Sequence, residues 1–420
     1  MQKLLVLGGK PIASVAIVKY AKSVGAYVIV ADNLTPEQSP AKQIADEHWN
    51  ISTADVELLA LEVQKHQVTA LFTGAHEFNI ARCIELAELT GLYFYLSKAQ
   101  FVNTSNKAIY KEVFKKYDVP VVNEYSLKQV QENKNIRFPV VLKPVDASGG
   151  YGIQICNSTE EVVDKYKEAL GFSEAKKVII EEYITANEIS IFYFIENAKV
   201  HLLSVADRHK EIRQDKEVAL PIGYVFPSVH LTKFQNNLDD KLKQALTSFE
   251  VKDGMFFLQA FATDNEILIY DIGCRITGTQ EYQLFEKLYG FNTLHQMIDK
   301  SLNRNSQNFT SFGLEADLSG KYASILTFIA RPGVISEFKG LSQLNDIKEV
   351  ISVIKNHQEG HEIPMHALHT LNQVVLRVYL MANSLQDLKK VIEKINSVVN
   401  VVDQNGTSLI QHYFSTERIA

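Results

Sequence analysis

The chain runs to 420 residues, 46% hydrophobic and 22% charged, with a formal charge of −6 at pH 7, a composition that lets a globular protein bury a sizeable core. The acidic balance argues against a nucleic-acid partner, which calls for a basic face, and no apolar run reaches the roughly 20 residues a membrane-spanning helix needs. Length alone predicts about two to four domains, and the odd number of widely spaced cysteines, Cys83, Cys156 and Cys274, suits a reducing cytoplasm better than a disulfide framework.

In chain order, residues 4–7, 27–31 and 70–73 are short apolar runs that read as strands, and 13–23, 56–66 and 80–89 read as helices with one apolar face. This alternation predicts a doubly wound parallel sheet over residues 1–100. The opening stretch imitates a signal peptide, yet Gly8, Gly9, Lys10 and Pro11 interrupt it, and a strand, a turn and a helix explain it better. With Asp32 closing the second strand, the same turn imitates a dinucleotide fingerprint. The G-x-G-x-x-G spacing is missing, which speaks against an NAD-dependent dehydrogenase. Thr73, Gly74 and Glu77 fall just past a strand end, where ligands gather in such sheets.

The next informative segment is FPVVLKPVDASGGYGI at 138–153, an apolar strand that ends at Lys143 and leads into Gly149, Gly150 and Gly152. A fixed positive charge followed by a glycine-rich turn suits a nucleotide triphosphate held under a hairpin, because glycines let backbone amides approach an anion closely. It is not a Walker A loop, since the lysine precedes the glycines. Residues 178–188, VIIEEYITANE, form a second apolar strand that ends in Glu181 and Glu182, with Glu188 beyond. Residues 267–278, ILIYDIGCRITG, form a third that delivers Asp271 and Arg275.

Together these segments resemble the ATP-grasp family, in the branch that holds biotin carboxylase, the large chain of carbamoyl phosphate synthase and L-amino-acid ligases. The resemblance covers nearly the whole chain. It implies an α/β protein, an ATP-grasp fold with an N-terminal doubly wound parallel-sheet domain (1–100), a nucleotide-binding domain (101–305) with a lid over about 120–190, and a C-terminal α+β domain (306–420). It further implies ATP and Mg2+ as cofactors. Lys107 and Lys143 match the phosphate-binding lysines, and Ser148, Gly149 and Gly150 lie in the loop that closes over the phosphates. Glu181, Glu182, Tyr183 and Ile184 match the linker whose backbone reads the adenine edge, and Glu188 matches the glutamate on the ribose hydroxyls. Asp271 matches a magnesium carboxylate, and Arg275 the arginine that steadies the acyl phosphate.

Two positions depart from the family pattern. An acidic metal ligand is usual where this chain has Gln259, and an asparagine where it has Gly273. Asp271 with Gln259 as a neutral carbonyl ligand suffices for one ion, because magnesium is commonly held by one or two carboxylates, phosphates and water. A second ion has no evident ligand.

Past the polar, turn-rich stretch 303–312, which reads as a linker, residues 322–329, 374–380 and 401–403 read as strands and 385–398 as a helix. His357, His361, His366 and His369 invite a zinc reading, but Gly360 and Pro364 break any helix that would align them, so a loop-to-strand crossing is favoured. Asp207, Arg208, His209 and Lys210 are left open between a role at the nucleotide or acid and a solvated strand end. The chain carries a single nucleotide unit and lacks the biotin carboxylase pattern ahead of its metal ligands. The resemblance therefore implies a cytoplasmic, ADP-forming ligase that joins a small carboxylate, with amino acids as candidates, to an amine, and it admits a homodimer. The competing class is an ATP-binding homologue without chemistry, motivated by Gln259 and Gly273.

Overall fold

A computed structural model describes residues 1–145, 152–173, 175–211, 220–304 and 314–419. The expected loop residues Ser148, Gly149 and Gly150 lie outside the described residues, as does most of the expected linker.

The N-terminal region is a four-stranded parallel sheet in the order Glu47–Asn50, Tyr27–Asp32, Lys3–Leu7, Ala70–Thr73. Its two central strands are buried from their second residue on, with apolar runs at Leu4–Leu7 and Val28–Ala31, as parallel strands covered on both faces require. The strand Glu47–Asn50 was not expected from the sequence, because its residues, Glu-His-Trp-Asn, carry no apolar run and only Trp49 is buried. The turn after the first strand needs glycine at position 8, where φ is +81°. Asp32 closes that turn: its carboxylate accepts from Gly9 N–H at 2.7 Å and pairs with the buried Lys42 ammonium at 2.8 Å. The acid that imitates a ribose-binding residue is thus committed to the fold.

From residue 124 onward the larger strands gather into two sheets. A small antiparallel sheet runs Glu124–Tyr125, Val178–Glu182, Val140–Pro144, Gln154–Cys156. With the helices Leu127–Gln131 and Thr159–Gly171 it encloses a core of its own around Val130, Leu142, Val162 and Ile180. The second sheet has eight strands in the order Ile267–Cys274, Gly254–Ala262, Asn187–Glu196, Lys199–Lys210, Pro221–Phe226, Tyr322–Ile329, Val374–Ala382, Val350–Lys355. It continues without a break into strands from beyond residue 314. Adjacent partners set one transverse row across it: Glu188, Arg208, Tyr224, Ile325 and Tyr379. The helix Leu385–Val398 forms where expected, capped by Ser384, whose side chain accepts from Asp387 N–H.

His357 and His361 stack with ring centroids 4.1 Å apart, and His357 contacts the Asn372 carbonyl oxygen. Among the described residues no group of three or more His, Cys, Asp or Glu side chains is arranged to hold a metal. All three cysteines are buried and free. Among the described residues no helix is long and apolar enough to cross a membrane.

The Asp32 pair generates a stability prediction. Burial opposes ionisation of Asp32, but the bonds from Lys42, Gly9 and Ser39 outweigh it and hold the carboxyl below its usual range. A depressed carboxylate stabilises the fold at pH above its unfolded value near 3.9, and the contribution is lost as pH falls through the folded value. Asp32→Asn should therefore cost about 3–5 kcal/mol at neutral pH, the cost of stranding a buried ammonium. The difference from the parent in thermal unfolding should shrink under acid conditions.

Candidate active site

Lys143 of the smaller sheet reaches Tyr270 of the larger, and Lys107 reaches Asp271, so a cleft is formed where these elements bring their groups together. Helix Lys107–Lys116 begins there because Asn106 caps it, its side chain accepting from the Ala108 and Ile109 amides. Lys107 thus stands on the first turn, its Nζ 3.8 Å from Asp271 Oδ1. Lys143, at the end of the hairpin strand, pairs with Glu181 and lies 5.3 Å from the centre of the Tyr270 ring. Tyr110 from the same helix donates to the Tyr270 carbonyl at 3.1 Å.

A β-bulge places the acidic side of the cleft. Gln259 pairs with Asp271 and Ala260 with Ile269, so Tyr270 is the extra residue. A bulge re-aims side chains and increases local twist. Here Tyr270 and Asp271 both serve the cleft: the Tyr270 hydroxyl donates to Glu188 Oε2 at 3.0 Å, and Asp271 meets Lys107. Gln259 and Asp271 are direct cross-strand neighbours, which puts their oxygens on one face. Asp271 keeps 36% of its side chain exposed in the cleft. Withdrawal from bulk water raises its carboxyl, Lys107 opposes this, and Glu77 adds to it. Such a carboxylate favours a cation beside it.

The position of the usual asparagine is physically occupied. A side chain on Gly273 would begin 2.3 Å from the Phe257 ring. That ring lies under Arg275, whose guanidinium carbon stands 4.7 Å from the ring centre. Arg275 also donates to Glu77 Oε1 through Nε at 3.2 Å and Nη2 at 3.1 Å, so a residue of the N-terminal sheet domain orients it.

Glu188 is buried between Arg208 and Lys210 and accepts from Tyr270. Burial raises its carboxyl, but the two cations outweigh burial and hold it low. The neighbouring residues, left open on sequence, divide by strand alternation. Arg208 and Lys210 converge on Glu188, while Asp207 turns to Ser228 and the Val229 amide. His209 packs on Phe414, and burial pushes its imidazole down to about 4. These residues, with Ala186, Asn187 and Arg418, border a cavity of about 370 Å³ that opens beside Glu188.

Glu181, Glu182, Tyr183 and Ile184 stand where expected, at the strand end and just past it. Tyr183 is exposed at the rim, and Glu182 N–H bonds the Asn123 carbonyl. The Glu181 side chain was not expected to act. It is fully buried between Lys143 and Lys111, and Lys111 also holds Glu124 at 2.7 Å. Burial favours the neutral acid, yet Lys143 and Lys111 overcome it and keep Glu181 below its usual range. Lys111 was missed, although its spacing of four from Lys107 on a helix puts it on the same side.

Residues 105–225 match the family model of the phosphoribosylglycinamide synthetase ATP-grasp (A) domain. The formate-dependent phosphoribosylglycinamide formyltransferase of Sulfurisphaera tokodaii is 25% identical over 190 residues, which take in 44% of this chain and 47%, about half, of the relative. The corresponding protein of Bacteroides thetaiotaomicron is 25% identical over 302 residues, 68% of this chain and 76% of the relative. The crystal structure of L-amino acid ligase from Bacillus licheniformis superposes with a TM-score of 0.76 over 96% of this chain and 99% of that one, at 14% identity. The family-model match takes in the segments that carry Lys107, Lys143 and Glu188, and the fold is shared with the ligase over nearly the whole chain, so this protein is similar to ATP-grasp proteins in residues 105–225 and in overall fold.

Proposed function

We propose that the protein is an ADP-forming ligase that activates a small carboxylate as an acyl phosphate and joins it to an amine. The observation that carries this reading is the convergence of Lys107, Lys143, Asp271 and Arg275 on one cleft, from elements distant in sequence.

Lys107 and Lys143 would bind the ATP phosphates, and Lys143 can exchange Glu181 for a phosphate oxygen because Lys111 still neutralises the glutamate. The backbone of Glu181, Glu182, Tyr183 and Ile184 would meet the adenine edge, Glu188 the ribose hydroxyls, and Ser148, Gly149 and Gly150 would close over the phosphates. Asp271 and Gln259 share a face and fit one magnesium ion, which when bound neutralises charge on the phosphates. The Phe257 ring leaves no room for a donor at Gly273.

In the first step a substrate carboxylate oxygen attacks the terminal phosphorus, the bond to the bridging oxygen breaks, and ADP leaves. In the second an amine nitrogen attacks the acyl carbon, phosphate leaves with the electrons of the carbon–oxygen bond, and the ammonium proton passes to solvent. Both steps need positioning and charge stabilisation more than covalent help from the protein. Arg275, held by Glu77 and Phe257, is set to meet charge developing on the acyl oxygen. Release of ADP and phosphate from ATP on addition of pooled amino acids tests the reading, and nucleotide binding without product under every acid and amine tried would favour a sensor instead.

Lys143→Ala removes one charge-assisted bond to phosphate, worth about 1.5–3 kcal/mol, and should weaken ATP about ten- to a hundredfold by calorimetry. Asp271→Asn should abolish most magnesium-dependent turnover, while Gln259→Glu should keep or raise it. Gly273→Asn alone should lower the melting temperature, and adding Phe257→Ala should recover part of the loss by opening space. Arg275→Ala and Arg275→Lys should each lower kcat by about 10² to 10³ with little change in ATP affinity. Lysine should not rescue, since it lacks the planar fork. If both Arg275 variants keep turnover but lose ATP, Arg275 belongs to the nucleotide instead.

A further inference from the structure

Residues 414–419 are docked at the end of the strand Lys199–Lys210. Gly223 pairs with His209 across the two strands, and the missing side chain leaves a notch that the Phe414 ring fills: a β-carbon on Gly223 would stand 2.9 Å from that ring. The centre of the ring lies 4.9 Å from that of His209. The helix Leu385–Val398 holds the same stretch, Asn396 Nδ2 donating to the Phe414 carbonyl at 2.8 Å and Lys389 Nζ to the Ile419 carbonyl at 2.7 Å. Ile419 is buried in the core of the strands beyond residue 314.

This docking carries Arg418 to the cavity beside Glu188. Its Nη1 donates to the Lys210 carbonyl at 2.6 Å, and among the described residues it makes no ion pair. The acids bordering the cavity are committed elsewhere. Glu188 holds Arg208 and Lys210, Asp207 accepts from Ser228 and the Val229 amide, and Glu211 accepts from the Leu220 amide at 3.2 Å. Arg418 therefore brings a positive charge to the cavity that the fold does not compensate. A guanidinium fixed in this way presents a planar fork of donors that fits an oxyanion. A second deficit lies in the same wall: Arg208 Nε and His209 Nε2 are buried and have no hydrogen-bond partner among the described residues. The His209 imidazole is neutral at pH 7, and a neutral ring offers one nitrogen as a donor. At about 370 Å³ the cavity is large enough for a small molecule. Lys107, Lys143, Asp271 and Arg275 do not border it.

We propose that this cavity binds a small molecule bearing a phosphate or carboxylate group, with Arg418 as the charged contact, at a site separate from the ATP phosphates. The separation rests on the ligase reading above, which places those phosphates at Lys107 and Lys143. Free phosphate and an organic acid share the oxyanion that Arg418 would meet.

The test is calorimetric titration of the full-length protein with inorganic phosphate and with succinate, after loading with magnesium and a non-hydrolysable ATP analogue that fills the triphosphate positions. One of the two probes should bind, and its affinity should fall in the order parent, Arg418→Lys, Arg418→Gln, Arg418→Glu, with the glutamine variant about ten- to a hundredfold below the parent. Glutamine can still donate to the Lys210 carbonyl. A residue that only anchors residues 414–419 would therefore leave that variant near the parent, and would not make anion binding by the parent more sensitive to added potassium chloride than binding by the variant, as a charged contact should. Failure of the unaltered protein to bind either probe overturns the proposal, and this arm needs no variant to fold. Equal anion affinity across the variants, or a loss that falls on the ATP analogue instead, overturns it as well. Anion binding that depends on Arg418 in a protein that never releases ADP would sink the ligase reading and keep the site. ADP release without binding of either anion would do the opposite.

Discussion

Charge compensation is the constraint on which the cleft rests. The cleft holds several cations close together, and their mutual repulsion acts against the fold. Each is offset by a carboxylate: Lys143 and Lys111 by Glu181, Arg208 and Lys210 by Glu188, Arg275 by Glu77, and Lys107 by Asp271. Glu181 matters most. It is fully buried, and a buried carboxylate is tolerable only while its cations stay. Lys111 therefore keeps Glu181 compensated if Lys143 changes partners in the role proposed for it.

The large sheet turns these pairs into one site. Its row from Glu188 through Arg208, Tyr224 and Ile325 to Tyr379 crosses from the Glu188 side of the cleft to strands from the last quarter of the chain. Because the sheet is continuous, those strands are fixed relative to Asp271 and to the loop after Arg275. Tyr379 completes the connection through its bond to the Thr279 carbonyl.

Phe257 shows how one substitution constrains another. With glycine at 273 the ring lies flat against the backbone and supports the Arg275 guanidinium. A side chain at 273 would displace the ring and with it the support. Gly273 and the Phe257 ring thus share one space, and the two positions work as a unit.

Local sequence determined the elements and several cleft residues. Apolar runs of four to six residues marked the central strands and 3.6-residue periodicity marked the helices, because those patterns record the period and the end of each element, while Lys107, Lys143, Glu188, Asp271 and Arg275 were singled out by resemblance to the motif order of the ATP-grasp family. The strand Glu47–Asn50 was illegible, since it has little apolar surface of its own and forms by pairing with Tyr27–Asp32. Lys111 and Phe257 were illegible as site residues for a different reason. Their roles come from partners far away in the chain, and burial, register and the bulge at Tyr270 decide which distant groups meet. Only the tertiary structure could decide that, because pairing energy and desolvation depend on distance in space, while a sequence carries only order along the chain.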